Sequence, residues 1–418
     1  MIDFLKRTVD LFSKITHEKK TVNLFNSVNK LLILGLIIRL IPAAFTAHPS
    51  DIESWRTIGF TIYNGQNPYS LESFGLVYPP LWSFICGIAY TTYAATQSLL
   101  VFNFTIKLPI ILADLGVATY IRKFVLTRTG NEKKAKEAMI LYIFNPVAII
   151  LSGIWGMFDS IPVFLVLLSS IFLFKKQYMR SSLVFGIAIA FKGFYPAMLL
   201  PLYLYIINNE GKIREVLKYF IMSVLVPIIV SAPFLVDDAS SFFNMTIIHF
   251  EQRQLSNLTY WFPIRLASSE NQNLVSFIAF MSFVILFLTA YFYFLKKVRP
   301  KKGLLNMSQI ILLFFLTSPT VNEQYFLWLL MPFVIYTTIH DQRMKNFLYA
   351  LTGIVTFFIL ANAGPSFLSP LNLSLGPIQD LWSITPVLVV CAILFSVLSL
   401  ITLRKIIKHK ASIVKEMV

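Results

Sequence analysis

Apolar runs, most of about 16–24 residues, recur along the whole chain and are separated by short polar or basic stretches. They occupy 31–47, 79–97, 98–121, 138–156, 160–174, 182–194, 195–208, 216–235, 273–295, 304–319, 325–340, 346–363 and 384–404. Runs of this length suit helices that span a bilayer, and the short alternating segments of a membrane barrel are absent. The pattern predicts an all-α polytopic membrane protein. The pair 182–194 and 195–208 is short for full spans and breaks at Lys192-Gly193-Phe194-Tyr195-Pro196, as if the break sat at membrane depth.

Charge gives the runs a direction. All but six of the 36 Lys and Arg residues fall in clusters between apolar runs or near a terminus. Basic loops stay on the cytoplasmic side. The basic 122–136 loop cannot be internal if 31–47, 79–97 and 98–121 all cross. The segment 79–97 is therefore expected to be re-entrant or to lie in the outer interface, with two full crossings and a basic external loop as the alternative. The remaining runs then give about twelve transmembrane helices with both termini cytoplasmic. Residues 1–30 read as a basic amphipathic arm on the membrane, 31–404 as the membrane domain and 405–418 as a basic tail. External loops fall at 48–78, 236–272 and 364–383, and most of the acids outside the cytoplasmic clusters fall on the external side, among them Asp51 and Glu53 in the first loop and Asp159 and Glu323 at hairpin tips.

Composition agrees. The 418 residues are 56% hydrophobic and 13% charged, against about 25% charged in a soluble domain, and the mean hydropathy is +0.70. The net charge of +16 belongs to loops that meet anionic lipid, which argues against a nucleic-acid partner. No Gly-rich phosphate loop follows a strand. The two cysteines lie in apolar runs and support neither a disulfide framework nor a metal cluster, and no metal or other cofactor is expected.

Six cations stand outside the basic clusters: Arg39, Arg56, Lys107, Lys192, Arg253 and Arg265. A charge inside the apolar layer is costly and marks a candidate site. Lys107 opens the 98–121 run, where it either meets a phosphate or snorkels to the interface. Lys192 lies about eleven residues into its run, roughly 16 Å at helical rise, too deep to snorkel easily. Arg253 in the second external loop suits bidentate phosphate binding or a pair with Glu251. Asp114 lies mid-run, where a buried polar neighbour suffices to explain it.

The first external loop holds the densest polar chemistry, in Ala47-His48-Pro49-Ser50-Asp51-Ile52-Glu53-Ser54-Trp55 and on to Tyr78-Pro79-Pro80-Leu81-Trp82. Asp51 is a candidate general base towards a sugar hydroxyl. The competing reading has Ser50 or Asp51 cap a short helix through Trp55, with Glu53 in its first turn. Asp159 and Glu323 each open the inward half of a helical hairpin, where the helix dipole favours an acid in any case. Broken helices at depth also suit a transporter or flippase for lipid-linked sugars or polyprenyl phosphates; the absence of internal repeats and the one-sided acids weigh against that alternative.

Several stretches together resemble the GT-C superfamily of integral-membrane glycosyltransferases. They are Asp51 with Asn67-Pro68-Tyr69 and Tyr78-Pro79-Pro80-Leu81-Trp82, then Leu108-Pro109 through Asp114-Leu115-Gly116, Phe158-Asp159-Ser160, Phe191-Lys192-Gly193-Phe194-Tyr195-Pro196, and Ser318-Pro319 leading to Glu323-Gln324-Tyr325-Phe326-Leu327-Trp328. In order and spacing they are most similar to the polyprenyl-phosphate-mannose-dependent mannosyltransferases of the GPI first-mannose and phosphatidylinositol-mannoside type. The chain departs in carrying Asp-Ile-Glu where many members have a fuller acidic pair, and Asn322-Glu323-Gln324 where relatives often have a His.

The resemblance implies a GT-C-like bundle and transfer of a hexose, mannose foremost, from a polyprenyl- or dolichyl-phosphate donor to a lipid or glycan acceptor, with inversion. It implies Asp51 as catalytic base and Lys107 as a donor-phosphate ligand; the residues themselves add Glu53, Asp159 and Glu323 as acids or acceptor-positioning groups. Lys192 and Arg253 would join Lys107 at the donor phosphate, and Trp55, Tyr69, Tyr78, Gln324 and Tyr325 would line the sugar and acceptor. The site would face away from the cytoplasm, across a prokaryotic plasma membrane or, in a eukaryote, the endoplasmic reticulum.

Overall fold

A computed structural model of the chain describes residues 27–71, 76–251, 258–268, 271–296, 303–371 and 385–415. Most of the expected N-terminal arm, Arg253 and residues 372–383 of the third external loop lie outside these. The described residues form an all-helical bundle without β-strands.

The first helices in order are α1 (Ser27–Ala43), α2 (Pro49–Tyr63), α3 (Leu81–Thr96), α4 (Leu99–Thr129) and α5 (Glu132–Ile143). The short α6 (Pro146–Ile149) runs into a π-helical turn, Ile150–Trp155. Then come α7 (Ser160–Phe174), α8 (Tyr178–Phe191), α9 (Phe194–Asn208), α10 (Ile213–Glu251), α11 (Trp261–Ala267), α12 (Gln272–Lys296) and α13 (Gly303–Thr317). A 3₁₀ turn, Glu323–Tyr325, leads into α14 (Phe326–Ile339), followed by α15 (Lys345–Asn362) and α16 (Thr385–Lys415).

Among the described residues, five helices are long and apolar enough to cross a bilayer. A sixth span results if α5 and the α6–π unit, bent by 51°, form one crossing. Within four shorter apolar helices lie Ser160–Phe174, Tyr178–Phe191, Phe194–Asn208 and Asn306–Thr317. Length and apolarity thus give five or six full spans, where the sequence pattern alone predicts about twelve. The remaining apolar runs form shorter helices, which a test of length neither counts nor excludes as crossings.

Two elements differ from the sequence reading. Residues 49–63, expected within a loop, form α2. It packs along α3 so closely that a Cβ on Gly59 would lie 2.5 Å from the Cys86 carbonyl oxygen. The segment 79–97 is thereby one arm of a helical hairpin. The 216–235 run continues as α10 to Glu251 with a break at Asp238. The turn after α2 is tied to that break, because Asn67 Nδ2 donates to Asp237 Oδ2 at 3.0 Å and Ser70 Oγ to Asp238 Oδ2 at 3.3 Å.

The core is built on α4, which packs against α1, α3, α5, α7 and α14. Helix α14 is apolar all round and buried from Phe326 to Thr338, the signature of a central helix. Deep between α1 and α4, Asp114 finds its buried polar neighbours. Arg39 Nη2 lies 2.7 Å from Asp114 Oδ2, and Tyr142, Ser152 and Ser160 donate to the two carboxylate oxygens. A buried pair of this kind persists only when its remaining lone pairs are satisfied.

Candidate functional site

The polar chemistry gathers at the end of the bundle where α1 gives way to α2. Pro49 and the extended His48 start α2, and neither Ser50 nor Asp51 caps it with a side-chain hydrogen bond. The capping role expected as the alternative for these residues is therefore not the one they play. Asp51, in the first turn, instead turns its carboxylate across the bundle. Trp155 Nε1 donates to Asp51 Oδ2 at 2.6 Å, and His48 Nδ1 lies 3.3 Å from the same oxygen. The His48 ring stacks on Trp155 at 4.7 Å. The Asp51 side chain keeps 26% exposure, so it is oriented by protein yet open to a small molecule.

A second cluster forms where α8 breaks. Helix α8 ends at Phe191, Lys192 is extended, and Phe194 starts α9, as the Lys192-Gly193 break predicts. Lys192 Nζ donates to both oxygens of Asp159, at 2.7 and 2.9 Å. Trp328 Nε1 donates to Asp159 Oδ1 at 2.7 Å. The rings of Tyr78, Phe158, Tyr325 and Trp328 surround the ammonium at 5.2–5.8 Å. Desolvated contacts of this type are worth up to about 2 kcal/mol each. Lys192 is thus a caged cation with one carboxylate partner, both nearly without solvent access.

Two connections join the clusters. The segment from Trp155 to Asp159 gives one residue to each. The 3₁₀ turn does the same: Tyr325 faces Lys192, while Glu323 two residues earlier feels the charge of Asp51. Glu323 is buried and accepts from Asn362 Nδ2 at 3.0 Å. Burial, with the Asp51 charge added, holds its carboxyl above the usual glutamate range. Gln324 is buried as well.

Other expected site residues take different places. Glu53 points along α2 to Arg56 at 2.7 Å, and Arg56 lies over Tyr93. Trp55 is buried behind the cage, against Trp82, Tyr78 and Phe158. Tyr69 is buried too, its hydroxyl donating to the Tyr78 carbonyl at 2.7 Å, so it fixes Tyr78 from behind and does not line the site. Lys107 is fully buried and gives its ammonium to the backbone carbonyls of Thr46, Gly153 and Ile154. Those three acceptors use all three of its protons, so the expected phosphate contact does not come with this placement. Among the described residues no three His, Cys, Asp or Glu side chains are grouped to hold a metal ion. Sequence reasoning missed Trp155, His48 as its stacking partner, and Asn362.

His48 carries a pH dependence. Burial lowers its pKa from 6.5, with Asp51 partly opposing. The unfolded chain then binds more protons than the fold between the two values, so stability rises with pH across that window. Acidification below about pH 6.5 is expected to lower the melting temperature of the detergent-purified protein. His48→Gln should flatten this dependence relative to wild type, and an unchanged slope would exclude His48 as its source.

No family model matches the chain. A curated relative, GPI mannosyltransferase 1 of Dictyostelium discoideum, is 26% identical over 203 residues, which is 46% of this chain and 42% of that protein. The match thus spans less than half the length of the relative. Among solved structures, ArnT from Cupriavidus metallidurans bound to undecaprenyl phosphate superposes with a TM-score of 0.52 at 14% identity, covering 90% of this chain and 76% of that one. Its apo form superposes equally, with a TM-score of 0.52 at 13% identity. The chain therefore has an ArnT-like fold, and its long apolar helices are those of an integral membrane protein.

Proposed function

We propose that the protein is a glycosyltransferase that moves a hexose, with mannose the foremost choice, from a polyprenyl-phosphate donor to a hydroxyl of a lipid or glycan acceptor on the non-cytoplasmic side. Asp51 Oδ takes the proton of the acceptor hydroxyl as its oxygen attacks the anomeric carbon. The new carbon–oxygen bond forms while the bond to the phosphate oxygen breaks on the opposite face, so configuration inverts. Polyprenyl phosphate leaves carrying the electron pair. Lys192 is the cation assigned to this chemistry, and its ammonium would offset charge gathering on the leaving phosphate. Asp159 and Trp328 keep that ammonium in place before the donor arrives. Glu323, which keeps a proton more readily than an ordinary glutamate, is suited to hold the acceptor.

The observation that carries this reading is the convergence of an oriented, part-exposed carboxylate at Asp51 with the caged cation at Lys192, joined by the Trp155–Asp159 segment and the Glu323–Tyr325 turn. The fold of an undecaprenyl-phosphate-bound ArnT and the name of the GPI mannosyltransferase relative support the donor class and the sugar. Purified protein incubated with radiolabelled polyprenyl-phosphate-mannose or -glucose and a membrane lipid extract should give a labelled product, with mannose preferred. No product with any hexose would overturn the assignment.

A further inference from the structure

We infer that Lys107 is a positioning residue that fastens the two segments holding the base, and not a ligand of the donor phosphate; the inference rests on the proposed transfer reaction. The ammonium sits at the meeting point of two chain ends. Thr46 lies in the turn that closes α1, where Phe45 and Thr46 both return hydrogen bonds to Pro42. Gly153 and Ile154 belong to the last turn of the π-helical segment. Carbonyls at helix C-termini lack intrahelical donors and carry partial negative charge. A lysine ammonium has three donors, and here each meets one such carbonyl. Among the described residues no carboxylate pairs with Lys107.

The fastened segments are the ones that matter for Asp51. Two residues after Thr46 comes His48, and α2 begins at Pro49, with Asp51 in its first turn. One residue after Ile154 comes Trp155, the hydrogen-bond donor to Asp51. The two segments are stitched further, because Thr46 Oγ1 donates to the Ile154 carbonyl at 3.0 Å and His48 N–H reaches the Trp155 carbonyl at 3.4 Å. Gly156 makes the fit possible. Its φ is +97°, and a Cβ there would lie 3.0 Å from Lys107 Cε. The cradle thus sets the separation between the Asp51 carboxylate and its Trp155 partner, and a cation bound to three carbonyls has no proton left for a phosphate.

The two roles predict different kinetics. A phosphate ligand tolerates arginine and shows its loss in donor KM. The cradle rejects the larger planar guanidinium and shows its loss in kcat, because a misplaced base slows the chemical step by about 100-fold per ångström-scale error. Lys107→Met and Lys107→Arg should both lower kcat by about 100-fold with donor KM unchanged. Lys107→Gln, which keeps two N–H donors and loses the charge, should retain more activity than either. Lys107→Met combined with Asp51→Asn should be no slower than Asp51→Asn alone, since both act through one carboxylate. If Lys107→Met fails to fold, the order of Gln over Arg carries the same contrast. Arginine restoring wild-type turnover, or a raised donor KM at intact kcat, would overturn the inference. A wild-type protein without transferase activity would instead overturn the proposed function.

Discussion

Replacing Asp51 by asparagine is expected to lower sugar transfer by about 100- to 10,000-fold, the span of a lost general base, while donor binding is retained. Asparagine has nearly the same volume and keeps an oxygen for Trp155 Nε1, which now meets the carboxylate at 2.6 Å. The local fold should therefore survive, and thermal melting of the variant should match wild type. The change removes only the capacity to take a proton. Steady-state kinetics with labelled donor, beside binding of the same donor, separate the two effects. Turnover near the wild-type value would remove Asp51 from the chemical step and leave the acceptor proton to Glu323, the other carboxylate at this end of the bundle.

Replacing Lys192 by methionine is expected to cost both stability and turnover. The pair it forms with Asp159 is almost without solvent access. Removing one partner of such a pair leaves a buried uncompensated charge and destabilises by about 3–5 kcal/mol. Four aromatic rings lose a cation at 5.2–5.8 Å at the same time. The double variant Lys192→Met with Asp159→Asn removes both charges, and should recover much of the stability. Its turnover should stay low, because the cation proposed to offset the leaving phosphate is still missing. Melting curves and transfer rates on the same preparations test this split. A double variant as active as wild type would make the pair a structural one. A double variant as unstable as the single would mean that the cage, and not the charge, sets the cost.

How far the residues themselves announced this arrangement depends on what kind of signal each needs. The break at Lys192-Gly193 was legible because a charge and a glycine interrupt an apolar run. Asp51 was legible because acids are scarce in a chain with 13% charged residues. Helix α2 was read as no more than a short helix through Trp55 within a loop, because it opens on Pro49, Ser50 and Asp51, residues that mark turns as readily as helix starts. The spacing of its buried residues Trp55, Ile58 and Gly59 is helical, yet too short a stretch to outweigh the polar residues around it. Trp155 was out of reach, since it meets Asp51 across 104 positions of sequence. Lys107 shows the limit from the other side. Its place in an apolar run was legible, but sequence patterns register side-chain types and do not register backbone carbonyls, which it meets here.

The direct test of the account is the fate of the donor in sealed proteoliposomes that hold purified protein, doubly labelled polyprenyl-phosphate-mannose and a membrane lipid extract. The account predicts that polyprenyl phosphate and mannosylated acceptor appear together in equal amounts, and that Asp51→Asn stops both. Intact donor crossing the bilayer without cleavage, at the same rate in wild type and Asp51→Asn, would contradict it and identify a carrier of lipid-linked sugars.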